Sequence, residues 1–159
     1  MPPDSAPQVL IVEDDREIRR FVRAAREDEG YRVSEAETVE RGVIDAGTRK
    51  PDVAILDLGL PDRDGVLNFD SEGFIKHPDE WRPIPGSLDA IARLTQDGWR
   101  VVVATNQSGI GRGLFDMAAL NAINAKMHKA VNQLGGRIEA VFYCPDTDES
   151  HSPCRKPNP

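Results

Sequence analysis

Long apolar runs, an excess of positive charge and a supply of cysteine are all missing from this sequence, and each shortage closes off a class of protein. No stretch approaches the roughly 18 apolar residues that a membrane-spanning helix needs. The first residues, MPPDSAPQ, carry neither a basic n-region nor an apolar h-region, so they do not read as a signal peptide, and the expected compartment is the cytoplasm. The formal net charge is -7, which argues against a general nucleic-acid binder with its basic face. Only two cysteines occur, Cys144 and Cys154. In a reducing compartment a disulfide between them is not expected, which leaves metal binding or plain packing.

What is present is ordinary for a globular protein: 39% hydrophobic and 30% charged residues in a chain of 159. That length fits one domain with a single core. Val9-Leu10-Ile11-Val12 and Val53-Ala54-Ile55-Leu56 are short β-branched runs of the kind that form buried parallel strands. Weaker strands are predicted over residues 31–33, 100–104 and 138–143. Helical spacing is predicted over 16–28 (Ile18, Phe21, Val22 and Ala25 inward), 38–48 (Val39, Val43, Ile44 and Ala46 inward), 88–96 with Ser87 as N-cap, and 117–134. Residues 58–86, rich in glycine and proline, read as one long loop, a feature that is usually functional or disordered. The alternation predicts a three-layer α/β fold with an open, parallel, five-stranded sheet of flavodoxin-like order 2-1-3-4-5. No helix follows the fifth strand, so one sheet face should be under-covered and offers a surface for a homodimer.

Glu13 and Asp14 follow the first strand and Asp57 closes the third. Order 2-1-3-4-5 makes these strands neighbours and turns their acids toward one crevice beyond the strand ends. A single acid there is more often a solvated loop residue. Two acidic sites converging by topology repel each other, and a hard divalent cation relieves that repulsion. Mg²⁺ suits such a set, and with it a carboxylate can attack phosphorus. At these residues the chain resembles response-regulator receiver domains: VLIVEDD, a helix beginning REIRR, then ILDLGLPDRDG. The resemblance implies that Glu13 and Asp14 bind Mg²⁺, that the Gly59 carbonyl joins them, and that Asp57 accepts phosphate.

A second constellation is Asp62-Arg63-Asp64-Gly65. Carboxylates two residues apart at a strand exit can divide attack and proton donation between them, although D-x-D-G alone also fits a turn. Residues 62–159 resemble haloacid-dehalogenase-superfamily phosphatases of the heptose-bisphosphate and histidinol-phosphate group. The carrying pieces are DRDGVLNFDSEGFIKHPDEW, PGSLDAIARL, VVVATNQSGIGRGLF and CRKP. The resemblance implies Asp62 as nucleophile and Asp64 as general acid/base. Thr105, Asn106, Gln107 and Ser108 would hold phosphoryl oxygens, and Lys156 would meet the transition-state charge. Arg155 would contact a substrate phosphate, and Asp70 would lie along the sugar. The group's second acidic motif, Gly-Asp-x-x-x-Asp, is not found before Pro159. Family members often carry a zinc loop near the C-terminus. Here Cys144 and Cys154 match it, Asp146 and Ser152 stand where other ligands would be, and His151 is a possible substitute, so zinc is not the expected cofactor. His77 and His128 read as surface residues.

The chain therefore reads as a single domain over 1–159 with a receiver-like half (1–61) and a phosphatase-like half (62–159). The expected function is Mg²⁺-dependent aspartyl-phosphate chemistry, foremost hydrolysis of a sugar phosphate such as a heptose bisphosphate. The alternatives are a phosphoacceptor module of a two-component system, or a hybrid that does neither. The expected pocket is Glu13, Asp14, Asp57, Thr105 and Lys156. Its partner is a small phosphorylated substrate or phosphodonor, with neither nucleic acid nor membrane. Asp57 and Asp62, five residues apart, compete for the role of nucleophile.

Overall fold

Runs of β-branched and aliphatic residues, each followed by an amphipathic segment, set the architecture. In the computed structural model, residues 6–47, 52–57, 67–69, 73–150 and 152–155 are described. Five strands, β1 (Gln8–Val12), β2 (Arg32–Ala36), β3 (Val53–Asp57), β4 (Arg100–Asn106) and β5 (Ala140–Cys144), form one sheet. Its order is β2-β1-β3-β4-β5 and every pairing is parallel. Five helices accompany them: α1 (Arg16–Asp28), α2 (Val39–Ala46), α3 (Ser87–Gln96), α4 (Ser108–Gly111) and α5 (Met117–Gln133). The expected fold class and strand order are both present. β2 and β5 each sit one or two residues later than the sequence pattern places them, because polar Ser34 and Glu35 and the terminal Cys144 pair as strand despite breaking the apolar runs.

Strand residues alternate between two faces. Leu10, Val12, Ala54, Leu56, Val101 and Val103 join the core with Val39, Ile91, Leu94, Met127 and Val131 from α2, α3 and α5. Gly136 lets the end of α5 approach α3 closely, since a Cβ there would stand 2.8 Å from Ala92 Cα. On the opposite face α1 packs on β1 and β2. Beyond it, Ile55, Val102, Ala104 and Phe142 line an open cleft of about 440 Å³. Phe142 is 63% exposed. This is the under-covered face that the sequence pattern predicts.

Several expectations are corrected. Phe21 and Ile44 do not face inward. Both are exposed, because α1 reaches only the β1–β2 side of the sheet and α2 buries Val39 and Ala46 instead. Ser87 is the first residue of α3, not its cap. Gly86, at φ 87°, precedes the helix, and the Ser87 hydroxyl donates to Leu67 O or Ile84 O at 3.0 and 2.8 Å. The described parts of the 58–86 segment are packed structure. Leu67 and Trp81 are buried in the core, Asn68 bridges Pro83, and Lys126 of α5 donates to the carbonyls of Pro78 and Trp81. No periodic signal announces this, because the chain enters the core through isolated residues. Helix α4 was not anticipated either, since two of its four residues are glycine. His77 is exposed and His128 half-buried.

Trp81→Ala is expected to destabilise the protein by about 3–5 kcal/mol, read as a lowered urea midpoint. A solvated loop would show almost no change. A second expectation concerns the β4–β5 edge, where Arg100 donates to both carboxylate oxygens of Glu139 at 2.8 and 3.0 Å. These hydrogen bonds hold the Glu139 carboxyl below its ordinary range. A depressed carboxyl contributes stability above its unfolded value and loses it as pH falls through the folded one. The small urea-midpoint difference between wild type and Glu139→Gln should therefore be present at neutral pH and close below about pH 4.

Candidate functional site

The acidic cluster is built at two adjacent strand ends. Val12 of β1 pairs with Leu56 of β3, so Glu13 and Asp57 follow side by side. One carboxylate oxygen each from Glu13, Asp14 and Asp57 lies within 4.8 Å of the others. Glu13 and Asp57 are each only 3% exposed. Three such groups in a partly desolvated setting repel strongly, and their all-oxygen donor set is the kind that a hard divalent cation takes.

The loop that carries Glu13 and Asp14 is fixed at both ends. Glu13 N donates to Ala36 O at 3.1 Å. Asp15 caps α1, its carboxylate accepting from Glu17 N and Ile18 N at 2.8 and 3.1 Å. From the first turn of that helix Arg19, 8% exposed, folds back. Its Nη1 donates to Glu13 O at 2.6 Å and Asp14 O at 3.2 Å, and its Nη2 to Glu37 at 3.0 Å. The guanidinium takes up the loop's carbonyls, and the Glu13 carboxylate accepts from Asp15 N at 3.2 Å. Sequence reasoning missed Arg19. Its signal was an arginine four residues after the capping acid, spaced to point back over the helix start.

Thr105 and Asn106 end β4 and are buried. Asp57 pairs with Ala104, so Thr105 stands one residue beyond it on the neighbouring strand. Its hydroxyl accepts from Gln107 Nε2 at 3.0 Å. The cleft beside Asp57 is lined by Glu13, Ala104, Phe142 and Cys154 among others, and Thr105 is not one of its walls. Ser108 is buried at the start of α4. Thus Glu13, Asp14 and Asp57 come together, while Thr105, Asn106, Gln107 and Ser108 form a loop at the next strand end. Asp62, Asp64, Asp70, His151, Lys156 and Gly59 lie outside the described residues.

Cys144 and Cys154 are joined by a disulfide, with Cα atoms 5.6 Å apart, within the ordinary bridging range. This corrects the expectation that no disulfide forms: the loop brings the two residues to bonding distance whatever the compartment. Asp146 Oδ2 lies 3.9 and 3.6 Å from the two sulfurs, and Ser152 Oγ is 3.3 Å from Cys154 Sγ. Neither sulfur carries a proton in the bonded pair, so neither donates in these contacts. The same group gathers as a possible ligand set, but zinc needs thiolates, and both are consumed by the S–S bond. These residues do not fit a structural zinc ion.

Comparison with known proteins divides the chain in two. Residues 9–71 match the family model of the response regulator receiver domain, and residues 60–159 match that of polynucleotide kinase 3 phosphatase. D-glycero-beta-D-manno-heptose-1,7-bisphosphate 7-phosphatase of Bordetella bronchiseptica is 61% identical over 102 residues, 64% of this chain and 57% of that protein. KdpE, the KDP operon transcriptional regulatory protein of Escherichia coli, is 54% identical over 77 residues, 48% of this chain and 32% of that protein. The chain spans a little over half the length of the phosphatase relative and about a third of the regulator. Among solved structures, the D,D-heptose 1,7-bisphosphate phosphatase from B. bronchiseptica, complexed with magnesium and phosphate, aligns with a TM-score of 0.62 and 57% identity, over 68% of this chain and 57% of that one. The signal receiver domain of a diguanylate cyclase from Desulfovibrio desulfuricans G20 aligns at TM-score 0.51 over 92% of this chain and 87% of that one, and its 20% identity makes this a likeness of fold. No helix among the described residues is long and apolar enough to cross a membrane. With more than half of its length in the phosphatase match, the chain belongs to the polynucleotide kinase 3 phosphatase family and carries a response-regulator receiver segment joined in front of it.

Proposed function

We propose that the protein carries out Mg²⁺-dependent aspartyl-phosphate chemistry in the cytoplasm, acting over residues 1–159 as one domain, with Asp57 as the acceptor of a phosphoryl group from a small phosphorylated donor. The observation that supports this reading is the convergence of Glu13, Asp14 and Asp57 within 4.8 Å at the ends of β1 and β3. These three residues would hold the ion, which when bound supplies positive charge against the carboxylates and the phosphoryl oxygens. Asp57, held in place by ladders on both sides of β3, presents its carboxylate to the phosphorus. Its oxygen forms the new P–O bond as the donor's leaving group departs with the old one. Glu13 and Asp14 keep their carboxylates on the same side because Arg19 engages their carbonyls.

A second reading is favoured by the phosphatase relatives: a phosphomonoester hydrolase acting on a heptose bisphosphate-like sugar phosphate. Asp62 would then be the nucleophile and Asp64 the general acid/base. Thr105, Asn106, Gln107 and Ser108 would hold the phosphoryl oxygens, Lys156 would meet the developing charge, and Arg155 and Asp70 would contact substrate. The two readings differ in which aspartate is esterified.

Wild type, Asp57→Asn and Asp62→Asn incubated with Mg²⁺ and acetyl phosphate should give stable labelling that drops to background only in Asp57→Asn. With a sugar bisphosphate in its place, phosphate release lost only in Asp62→Asn would replace the first reading with the second. Arg19→Lys keeps the charge but loses the planar fork. It should weaken Mg²⁺ binding at least tenfold by isothermal titration calorimetry; an unchanged affinity would remove Arg19 from the site.

A further inference from the structure

We propose that the Cys144–Cys154 disulfide is a positioning clamp: in place of a metal ion, it holds the segment after β5, and Arg155 with it, against the loop after β4 and beside the acidic cleft. The role given to Arg155 rests on the phosphate chemistry proposed above. The clamp itself rests on geometry alone.

Cys144 is the last residue of β5 and 2% exposed, whereas Cys154, ten residues later, is exposed. The bond thus ties a surface position to a strand end. The closed loop is stitched to the loop after β4. Gln107 N donates to Cys144 O at 2.7 Å and Gly111 N to Pro145 O at 3.0 Å. The second contact is possible only because residue 111 is glycine, since a Cβ there would meet Pro145 O at 2.6 Å. Arg112 faces Glu149 at 3.7 Å across the same seam. At the far end Arg155 Nη1 donates to Asp146 O at 3.1 Å and its backbone N to Ser152 O at 3.3 Å. Cys154 itself borders the cleft that holds Glu13 and Asp57.

The clamp has the chemistry to be released. Cys154 is open to a thiol reagent. A dithiol reductant delivers two electrons and two protons, breaks the S–S bond, leaves two cysteine thiols and closes into its own cyclic disulfide. Released, the segment loses its covalent tie to the end of β5, while Arg155 Nη1 still donates to Asp146 O. Asp146 and Ser152 stand at positions where a metal loop would need histidine and cysteine, so the freed thiols are left without a full ligand set.

The test is amide hydrogen exchange on the full chain with a chelator present, oxidised and after dithiothreitol, beside Cys154→Ser. Reduction should accelerate exchange at residues 145–150 and 152–155, and at Gln107 and Gly111, by at least tenfold. Cys154→Ser should match the reduced wild type and ignore the reductant. Exchange unchanged by reduction would overturn the proposal. So would stoichiometric zinc restoring full protection to the reduced wild type, because the pair would then be a metal site. Acetyl-phosphate labelling of the same proteins, freed of chelator and supplied with Mg²⁺, keeps the two readings apart: label absent throughout removes the aspartyl-phosphate reading, while exchange alone decides the clamp.

Discussion

A parallel strand has one carboxyl end, and a strand bonded on both sides has that end fixed by two ladders. β3 is such a strand. Val53 to Leu56 pair with β1 along one edge, and Val53 to Asp57 pair with β4 along the other. Whatever residue closes β3 is placed by those hydrogen bonds and by the burial of Ala54 and Leu56. Asp57 is that residue. In phosphoryl chemistry, where about 1 Å of misplacement costs roughly 100-fold in rate, a position fixed in this way is what an acceptor needs.

The rest of the acidic site depends on that placement. Burying Glu13 and Asp57 together is costly unless charge or hydrogen bonds offset it. Arg19, buried in the first turn of α1, is aimed at the backbone of Glu13 and Asp14 and paired with Glu37. Turning the arginine onto carbonyls fixes the loop. Asp15, by capping α1, completes the same turn.

Much of this was legible in the sequence. Apolar runs at Val9 and Val53, each ending in acids, announced two strands and their shared crevice, and helix α1 began and ended at the residues its spacing marked. The features that escaped depend on tertiary contacts. Leu67 and Trp81 reach the core from a segment whose glycines and prolines read as loop. Ile44 and Phe21 follow helical spacing yet face solvent, because the surfaces that would have covered them are not where those helices lie. Arg19 is one arginine among several on a polar helix, and only its return path to two carbonyls sets it apart. The Cys144–Cys154 bond runs against the compartment argument, which weighs average redox conditions and knows nothing of a loop that folds the two residues together.

The seam between the two matched segments also explains the open face. β1, α1, β2, α2 and β3 lie within the receiver match, while α3, β4, α4, α5 and β5 lie within the phosphatase match. On the α2–α3–α5 side the halves make one core, with Leu56 beside Val103 and α2 packed on α3. Period-2 strands from different families meet this condition easily, because parallel pairing asks only for apolar residues of matching parity. The other face asks for more. It needs helices that span the join, and α1 packs chiefly on β1 and β2. Val102, Ala104 and Phe142 are therefore left along the cleft, and the Cys154 end of the closed loop is what borders it. The same cleft runs past Ile55 and Val102 to the buried carboxylates of Glu13 and Asp57, so the incompletely covered face and the acidic cluster share one opening.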